Sequence, residues 1–262
     1  MRHVVVTGGS SGLGAALVRH YLKRGDAVTC IARDRTRMND LAVACNATTG
    51  RSPDLVACDV SDADAMRMEL QRIDALRGVD ILYANAGIGG RAVLSSPDGE
   101  DDSLARSVFG INTIGVVNTL TPLLAPMIER RKGHLVVVSS VAAFVPLAQS
   151  PAYSAAKAAA RTYGHALRRL ASPHGVRVTV VSPGFIDTPM SRSLPYVRPF
   201  LVDADVAAAR IARAVDAGRA ELILPWQFRL AVALHTILPN AISDRILAAA
   251  DPGTKRRPPA DS

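Results

Sequence analysis

The chain has 262 residues, 48% of them hydrophobic and only 4% aromatic, with a formal net charge of +8. That length predicts one large α/β domain rather than two, and a core of Ala, Val, Leu and Ile suits a parallel sheet covered on both faces. The arginines are scattered along helical stretches with no basic run interleaved with aromatics, so no nucleic-acid partner is expected.

Short apolar runs predict strands at 4–6, 27–32, 55–57, 79–84, 135–138, 176–181 and 222–224. Helical spacing fills the intervals at 13–23, 35–48, 63–76, 102–130, 154–170 and 204–217. The alternation reads as a single α/β unit over 1–250, a Rossmann-like doubly wound parallel sheet of about seven strands with helices on both faces. Gly25 and Gly133 stop helices before strands, and Asp203 offers an N-cap.

The first strand runs into Thr7-Gly8-Gly9-Ser10-Ser11-Gly12-Leu13-Gly14 and then a helix. A glycine-rich turn at that place lets the backbone approach a pyrophosphate, stabilised by unpaired N–H groups and the helix dipole. An isolated glycine pattern fits a tight packing turn equally well; the strand and helix around it favour the phosphate. After the second strand comes Ala32-Arg33-Asp34, where an acid would bind ribose hydroxyls and an arginine a 2′-phosphate.

Tyr153 and Lys157 stand four apart at the start of a predicted helix, so both project from one face. Lowering a phenol pKa from about 10 to about 7 needs roughly 4 kcal/mol. A lysine ammonium about 4 Å away at an effective dielectric of about 20 supplies a term of that size. Ser140 ends the fifth strand, on the edge where ligands bind, and its hydroxyl can donate to a carbonyl oxygen as charge develops there. Ser139 competes, but strand alternation sends it the other way.

The long segment 184–202 is expected to be a substrate loop. With the neighbouring segments it offers Ile88, Phe144, Leu147, Phe185, Met190, Leu194, Tyr196 and Phe200, which suggest an apolar carbonyl or alcohol, or simply a lid that excludes water. Arg192 and Arg198 could read an anionic group. The apolar stretch 226–250 is too short and interrupted to span a bilayer and reads as a substrate lid, a subunit contact or an interfacial helix. Residues 251–262, rich in Pro and charge, are expected to be a mobile tail. Cys30, Cys45 and Cys58 fit no metal spacing, and the six histidines stand singly, so structural or exposed roles are expected and no metal. With no charged and apolar leader before the first strand, a cytoplasmic location is the expectation.

Taken together, these motifs resemble the short-chain dehydrogenase/reductase family. Thr7 to Gly14 matches its Thr-Gly-x-x-x-Gly-x-Gly turn, and Asn85-Ala86-Gly87 matches its Asn-Ala-Gly segment after the fourth strand. Ser140, Tyr153 with Lys157, and Pro183 with Gly184 complete the pattern, which extends from Arg2 to about Leu224. Ala84 stands where many members have a first Asn, a departure that leaves the cofactor wall intact.

The resemblance implies a nicotinamide cofactor lined by Gly8, Ser10, Ser11, Gly12, Leu13, Gly14, Arg33, Asp59, Val60, Asn85, Ala86, Gly87, Tyr153, Lys157, Pro183, Gly184, Ile186 and Thr188. It implies catalysis by Ser140, Tyr153 and Lys157, with Asn112 helping to hold a water relay to the lysine. On bare sequence Asn112 is an ordinary polar helix residue. The family's ribose-binding acid falls at Ala32, so Arg33 implies NADP(H) in preference to NAD(H), with Arg35 or Arg37 adding charge. Alternatively Asp34 turns back to the ribose and Arg33 stacks on adenine. Asp59 matches an adenine contact, or is an N-cap. Thr188 matches a contact to the carboxamide or phosphate side, or caps local backbone.

The implied activity is interconversion of a carbonyl and an alcohol, with Tyr153 as acid and base, most naturally as a reductase of an apolar or lipid-like carbonyl. The alternative is a cofactor-sensing regulator, whose mark would be loss of the Tyr or Lys; both are present. The first residues also resemble the ketosphinganine reductase branch. A homodimer or homotetramer is expected, with peripheral membrane contact through 226–250 if that stretch is interfacial.

Overall fold

The computed structural model describes residues 1–89, 100–194, 197–239, 241–243 and 245. In chain order the strands are β1 (His3–Thr7), β2 (Ala27–Ala32), β3 (Asp54–Ala57), β4 (Ile81–Ala84), β5 (Gly133–Val138), β6 (Val176–Pro183), β7 (Ile186–Asp187), β8 (Val202–Asp203) and β9 (Glu221–Leu224). The helices are α1 (Gly12–Lys23), α2 (Arg35–Thr49), α3 (Ala63–Leu76), α4 (Asp102–Phe109), α5 (Gly115–Glu129), α6 (Pro151–Ala171), α7 (Pro189–Arg192), α8 (Ala204–Asp216) and α9 (Gln227–Ile237).

β1 is buried at every position, which requires a sheet covered on both faces. Seven strands pair in parallel in the order β3-β2-β1-β4-β5-β6-β9. Side-chain alternation divides the core. Val4, Val6, Val136 and Val138 pack with Leu17 of α1 and Ile211 of α8 on one face. Val5, Leu135 and Val137 pack with Leu70 of α3, Leu120 of α5 and Leu167 of α6 on the other. Strand order reverses between β1 and β4, and a ligand crevice opens at the carboxyl ends of strands at such a reversal.

The expected doubly wound sheet is present, with four local differences. The helix expected over 102–130 is interrupted by a π-helical turn at Gly110–Ile114, between α4 and α5. The helix expected from 154 starts at Pro151, since proline's fixed φ suits a first helical position. The strand expected from 79 starts at Ile81, because the Val79 N–H is taken by the Asp74 carboxylate at 2.7 Å. The segment 184–202 is not a plain loop. It contains β7, α7 and β8, with β7 and β8 pairing in parallel, and Thr188 and Ser191 forming a reciprocal capping box on α7.

The run from Asp102 to Glu129 is long and apolar enough to cross a membrane by length and composition. Its Val108, Val116, Leu120, Leu123 and Met127 are nevertheless buried in the protein core. Within 226–250, α9 and a few residues beyond it are described; the tail at 251–262 lies outside the described residues.

Candidate active site

The turn between β1 and α1 needs its glycines for two reasons. Gly8 and Gly12 have φ of +63° and +52°, the left-handed region that L side chains avoid. A Cβ on Gly14 would lie 2.2 Å from the Gly8 carbonyl oxygen, so only glycine lets the helix start fold against the turn. The Ser11 side chain makes no capping bond to α1, and the first turn of the helix has no carboxylate. The start of α1 thus lines the cavity with no N-cap side-chain bond and no carboxylate of its own, an arrangement suited to an anion.

Thr7 ties this turn to the end of β4. Its hydroxyl donates to the Tyr83 carbonyl at 3.0 Å and accepts from the Asn85 N–H at 3.1 Å, while the Asn85 amide donates to the Thr7 carbonyl at 2.9 Å. Thr188 closes the other side: its methyl would stand 3.1 Å from a Cβ on Gly12. Residues far apart in sequence thus meet at one crevice.

Arg33 follows the last residue of β2 and is exposed, its guanidinium 3.2 Å from the Asp59 carboxylate. Burial works against ionising Asp59, but hydrogen bonds from the Ser61 N–H and hydroxyl, with the Arg33 charge, hold its carboxyl below the ordinary range. Asp34 caps α2 by accepting from the Arg37 N–H, its carboxylate pairs with the Arg37 guanidinium, and it also lines the cavity over the carboxyl edge of the sheet. The N-cap alternative for Asp59 is corrected. The N-cap of α3 is Asp62, not Asp59.

Ser140 follows β5. Its Oγ accepts from the Ala142 N–H at 3.1 Å and lies 3.5 Å from the Pro183 carbonyl. Ser139 points the other way, donating to the Lys157 carbonyl at 2.8 Å, as alternation predicts. Lys157 is buried. Its Nζ donates to the Val138 carbonyl at 3.0 Å and sits 5.8 Å from the centroid of the half-buried Tyr153 ring. Burial lowers its pKa from 10.5 to about 8.

Asn112 lies inside the π-helical turn and is fully buried. It clasps Ile88, accepting from its N–H and donating to its carbonyl, both at 2.9 Å. Gly87 explains how the clasp and the lysine meet: a Cβ there would lie 3.0 Å from the Asn112 Oδ1 and 3.3 Å from the Lys157 Nζ.

A cavity of about 760 Å³ runs over the carboxyl edge of the sheet. It is lined by the expected Gly8, Ser10, Ser11, Gly12, Leu13, Gly14, Arg33, Asp59, Val60, Asn85, Ala86, Gly87, Ser140, Tyr153, Lys157, Pro183, Gly184, Ile186 and Thr188. Asn112 sits behind this wall. Of the expected substrate-facing residues, Ile88, Leu147, Phe185, Met190 and Leu194 line the cavity. Phe144 does not; it stacks under the Arg161 guanidinium, 4.1 Å from the ring centroid. Phe200 packs on the edge of Phe228 instead, and Tyr196 lies outside the described residues. Arg192 and Arg198 both turn to Asp187, whose carboxylate they hold below its ordinary range, rather than into the cavity.

Val145 lies in the segment 141–150 expected to face the substrate, and Phe228, Ala231 and Val232, not singled out by residue in the sequence, also line the wall, as the lid reading of 226–250 implies. The signal for these three was the apolar stretch after β9, which by sequence fits a subunit contact or an interfacial helix as well as a lid. Their contact is tight at Gly184, where a Cβ would lie 2.2 Å from the Phe228 ring.

The model of the family described as short chain dehydrogenase matches residues 2–196. An uncharacterized oxidoreductase of Myxococcus xanthus is 35% identical over 93% of this chain and 95% of its own. Dehydrogenase/reductase SDR family member 7B of Xenopus laevis is 33% identical over 97% of this chain and 83% of its own. Among solved structures, a short-chain dehydrogenase from Sphingobium yanoikuyae in complex with NADPH superposes with a TM-score of 0.79 at 20% identity, covering 100% of this chain and 99% of that one. An alcohol dehydrogenase from the archaeon Thermococcus sibiricus complexed with 5-hydroxy-NADP gives 0.75 at 25% identity, covering 86% and 96%.

Proposed function

Because the chain belongs to the short-chain dehydrogenase family and is an oxidoreductase acting on a carbonyl or CH–OH group, we propose that it is an NADP(H)-dependent reductase of apolar carbonyls. The observation that carries this is the single cavity in which Ser140, Tyr153 and Lys157 share a wall with the glycine turn.

The residues present suit a dinucleotide. The uncapped N–H groups at the start of α1 would hold a pyrophosphate, and Asn85-Ala86-Gly87 would form part of the wall beside the dinucleotide. Arg33 supports a 2′-phosphate, for which it would exchange its exposed pairing with Asp59. The NADPH and 5-hydroxy-NADP named with the two solved relatives agree with this choice. When bound, the nicotinamide supplies or accepts a hydride.

The chain's own groups handle the oxygen and its proton. Ser140 donates a hydrogen bond to the carbonyl oxygen as negative charge develops on it. Tyr153 delivers the proton, and the Lys157 charge nearby reduces the cost of leaving a phenolate. Asn112, through its clasp on Ile88, fixes the backbone between the cofactor wall and the substrate wall. Val145, Leu147, Phe185, Met190, Leu194 and Phe228 supply an apolar surround, which favours a substrate with a hydrocarbon body.

The test is NADPH oxidation against aromatic, steroid-like, fatty and 3-keto-lipid carbonyls, with NADH alongside; the last class probes the likeness to ketosphinganine reductases. Equal use of NADH overturns the role of Arg33. Tyr153→Phe is expected to lower turnover by about 10² to 10⁴ while leaving NADPH affinity nearly unchanged. Turnover retained in that variant removes the proton-transfer role.

A further inference from the structure

The outer face of α9 is an apolar stripe left open to solvent. Trp226, Leu230, Leu234 and Ile237 are 63%, 64%, 53% and 81% exposed. At about 100° per residue these positions fall within an arc of roughly 80°. The opposite side of the helix carries Phe228, Ala231 and Val232 into the cavity wall. On the other side of α9, Phe200 meets the Phe228 ring edge-on at 5.7 Å and is itself exposed along with Val197 and Leu201. Phe200 holds a φ of 56°, a costly conformation for a non-glycine residue that persists where the surroundings impose it. An apolar surface of this extent marks an interaction site.

The charge carried by α9 itself has one sign. Gln227–Ile237 contains no Asp or Glu, Arg229 is exposed on it, and the chain as a whole carries +8, while Arg245 further on is offset by the adjoining Asp244 in the sequence. A tryptophan and aliphatic stripe on a helix with an exposed arginine and no carboxylate complements an anionic bilayer surface, where the apolar side chains enter the acyl boundary and the arginine meets headgroup phosphates.

We propose that the outer face of α9 docks on the surface of a bilayer containing anionic phospholipid. Docking does not depend on the reductase reading, because the face would bind whether or not Tyr153 turns over a substrate.

Trp226 is the sole tryptophan, so its emission reports on this helix alone. The full chain is mixed with vesicles of phosphatidylcholine and phosphatidylserine, and separately with phosphatidylcholine alone, then sedimented and read by fluorescence. A blue shift of Trp226 with co-sedimentation on the mixed vesicles is expected, and the double variant Leu230→Glu, Leu234→Glu should weaken partitioning by roughly tenfold or more. Both positions are exposed, and an unchanged circular dichroism spectrum and Tm establish that the variant folds. No shift and no sedimentation overturn the proposal. So does equal binding to both vesicle types, or binding that survives the double variant. A concentration-dependent dimer that the double variant abolishes, in a chain that ignores vesicles, assigns the face to a second copy instead.

Discussion

Lys157 shows how much one residue can be asked to carry. Its ammonium is buried against the Val138 carbonyl, and its pKa falls from 10.5 to about 8. Near pH 7 the group is charged in the folded and unfolded states alike, so the burial penalty, on the order of 3 kcal/mol, is fully present. As pH rises from about 8 toward 10.5 the unfolded state binds more protons than the folded one, and this group's contribution to stability rises with pH. Lys157→Met, which loses the bond to Val138 but also the buried charge, is expected to stabilise the cofactor-free protein by roughly 2 kcal/mol near pH 7. That gain should vanish near pH 10, as urea unfolding at the two values would show; a difference that does not change with pH would sink the assignment. The same titration bears on turnover. Reduction should slow above about pH 8, because the charge that supports Tyr153 is lost as the lysine deprotonates.

At the scale of the element, α6 carries Tyr153 and Lys157, and its start is held from a distance. The Glu100 carboxylate accepts from the Ala152 N–H with both oxygens at 3.1 Å, across 52 positions of sequence. A carboxylate at that end satisfies an orphan donor and complements the helix dipole. Glu100→Ala is expected to cost about 1 kcal/mol of stability, and Glu100→Gln, which still accepts, should recover much of it; equal losses in the two variants would mean that the cap does not act as described. The period of α6 was legible in its sequence, and so was the one-face placement of Tyr153 and Lys157, because both follow from helical geometry within a single turn. Glu100 was not, since a cap supplied by another segment leaves no mark on the residues it caps. The π-helical turn at Gly110–Ile114 was equally hidden: local spacing reads as continuous helix, and the clasp between Asn112 and Ile88 is made to a strand-end segment 24 residues away.

For the whole molecule, the cavity wall runs from Gly8 in the first turn to Val232 in α9, so cofactor binding is coupled to the folding of nearly the entire sheet. A ligand that binds only the folded state stabilises it by mass action, about 2.7 kcal/mol at a hundredfold excess over Kd. For a chain of this size that corresponds to a Tm rise of roughly 5–10 °C. NADPH is expected to give that rise and NADH at equal concentration distinctly less. Equal shifts would count against Arg33 as a reader of the 2′-phosphate, independently of any choice of substrate.

The parallel sheet, the glycine turn and the Tyr153–Lys157 pair could be read from the chain alone, because backbone sterics and side-chain periodicity act over a few adjacent residues. Pairings between distant segments could not. Arg33 with Asp59, Arg192 and Arg198 with Asp187, and Phe228 against Gly184 each depend on which groups the packed core brings within reach. The arginines of 184–202 illustrate the difference: by residue type they suit an anionic substrate, yet folding β7 against β8 sets Asp187 beside them. A nearby carboxylate at hydrogen-bonding distance neutralises a charge that sequence alone leaves free, and only the folded chain determines that distance.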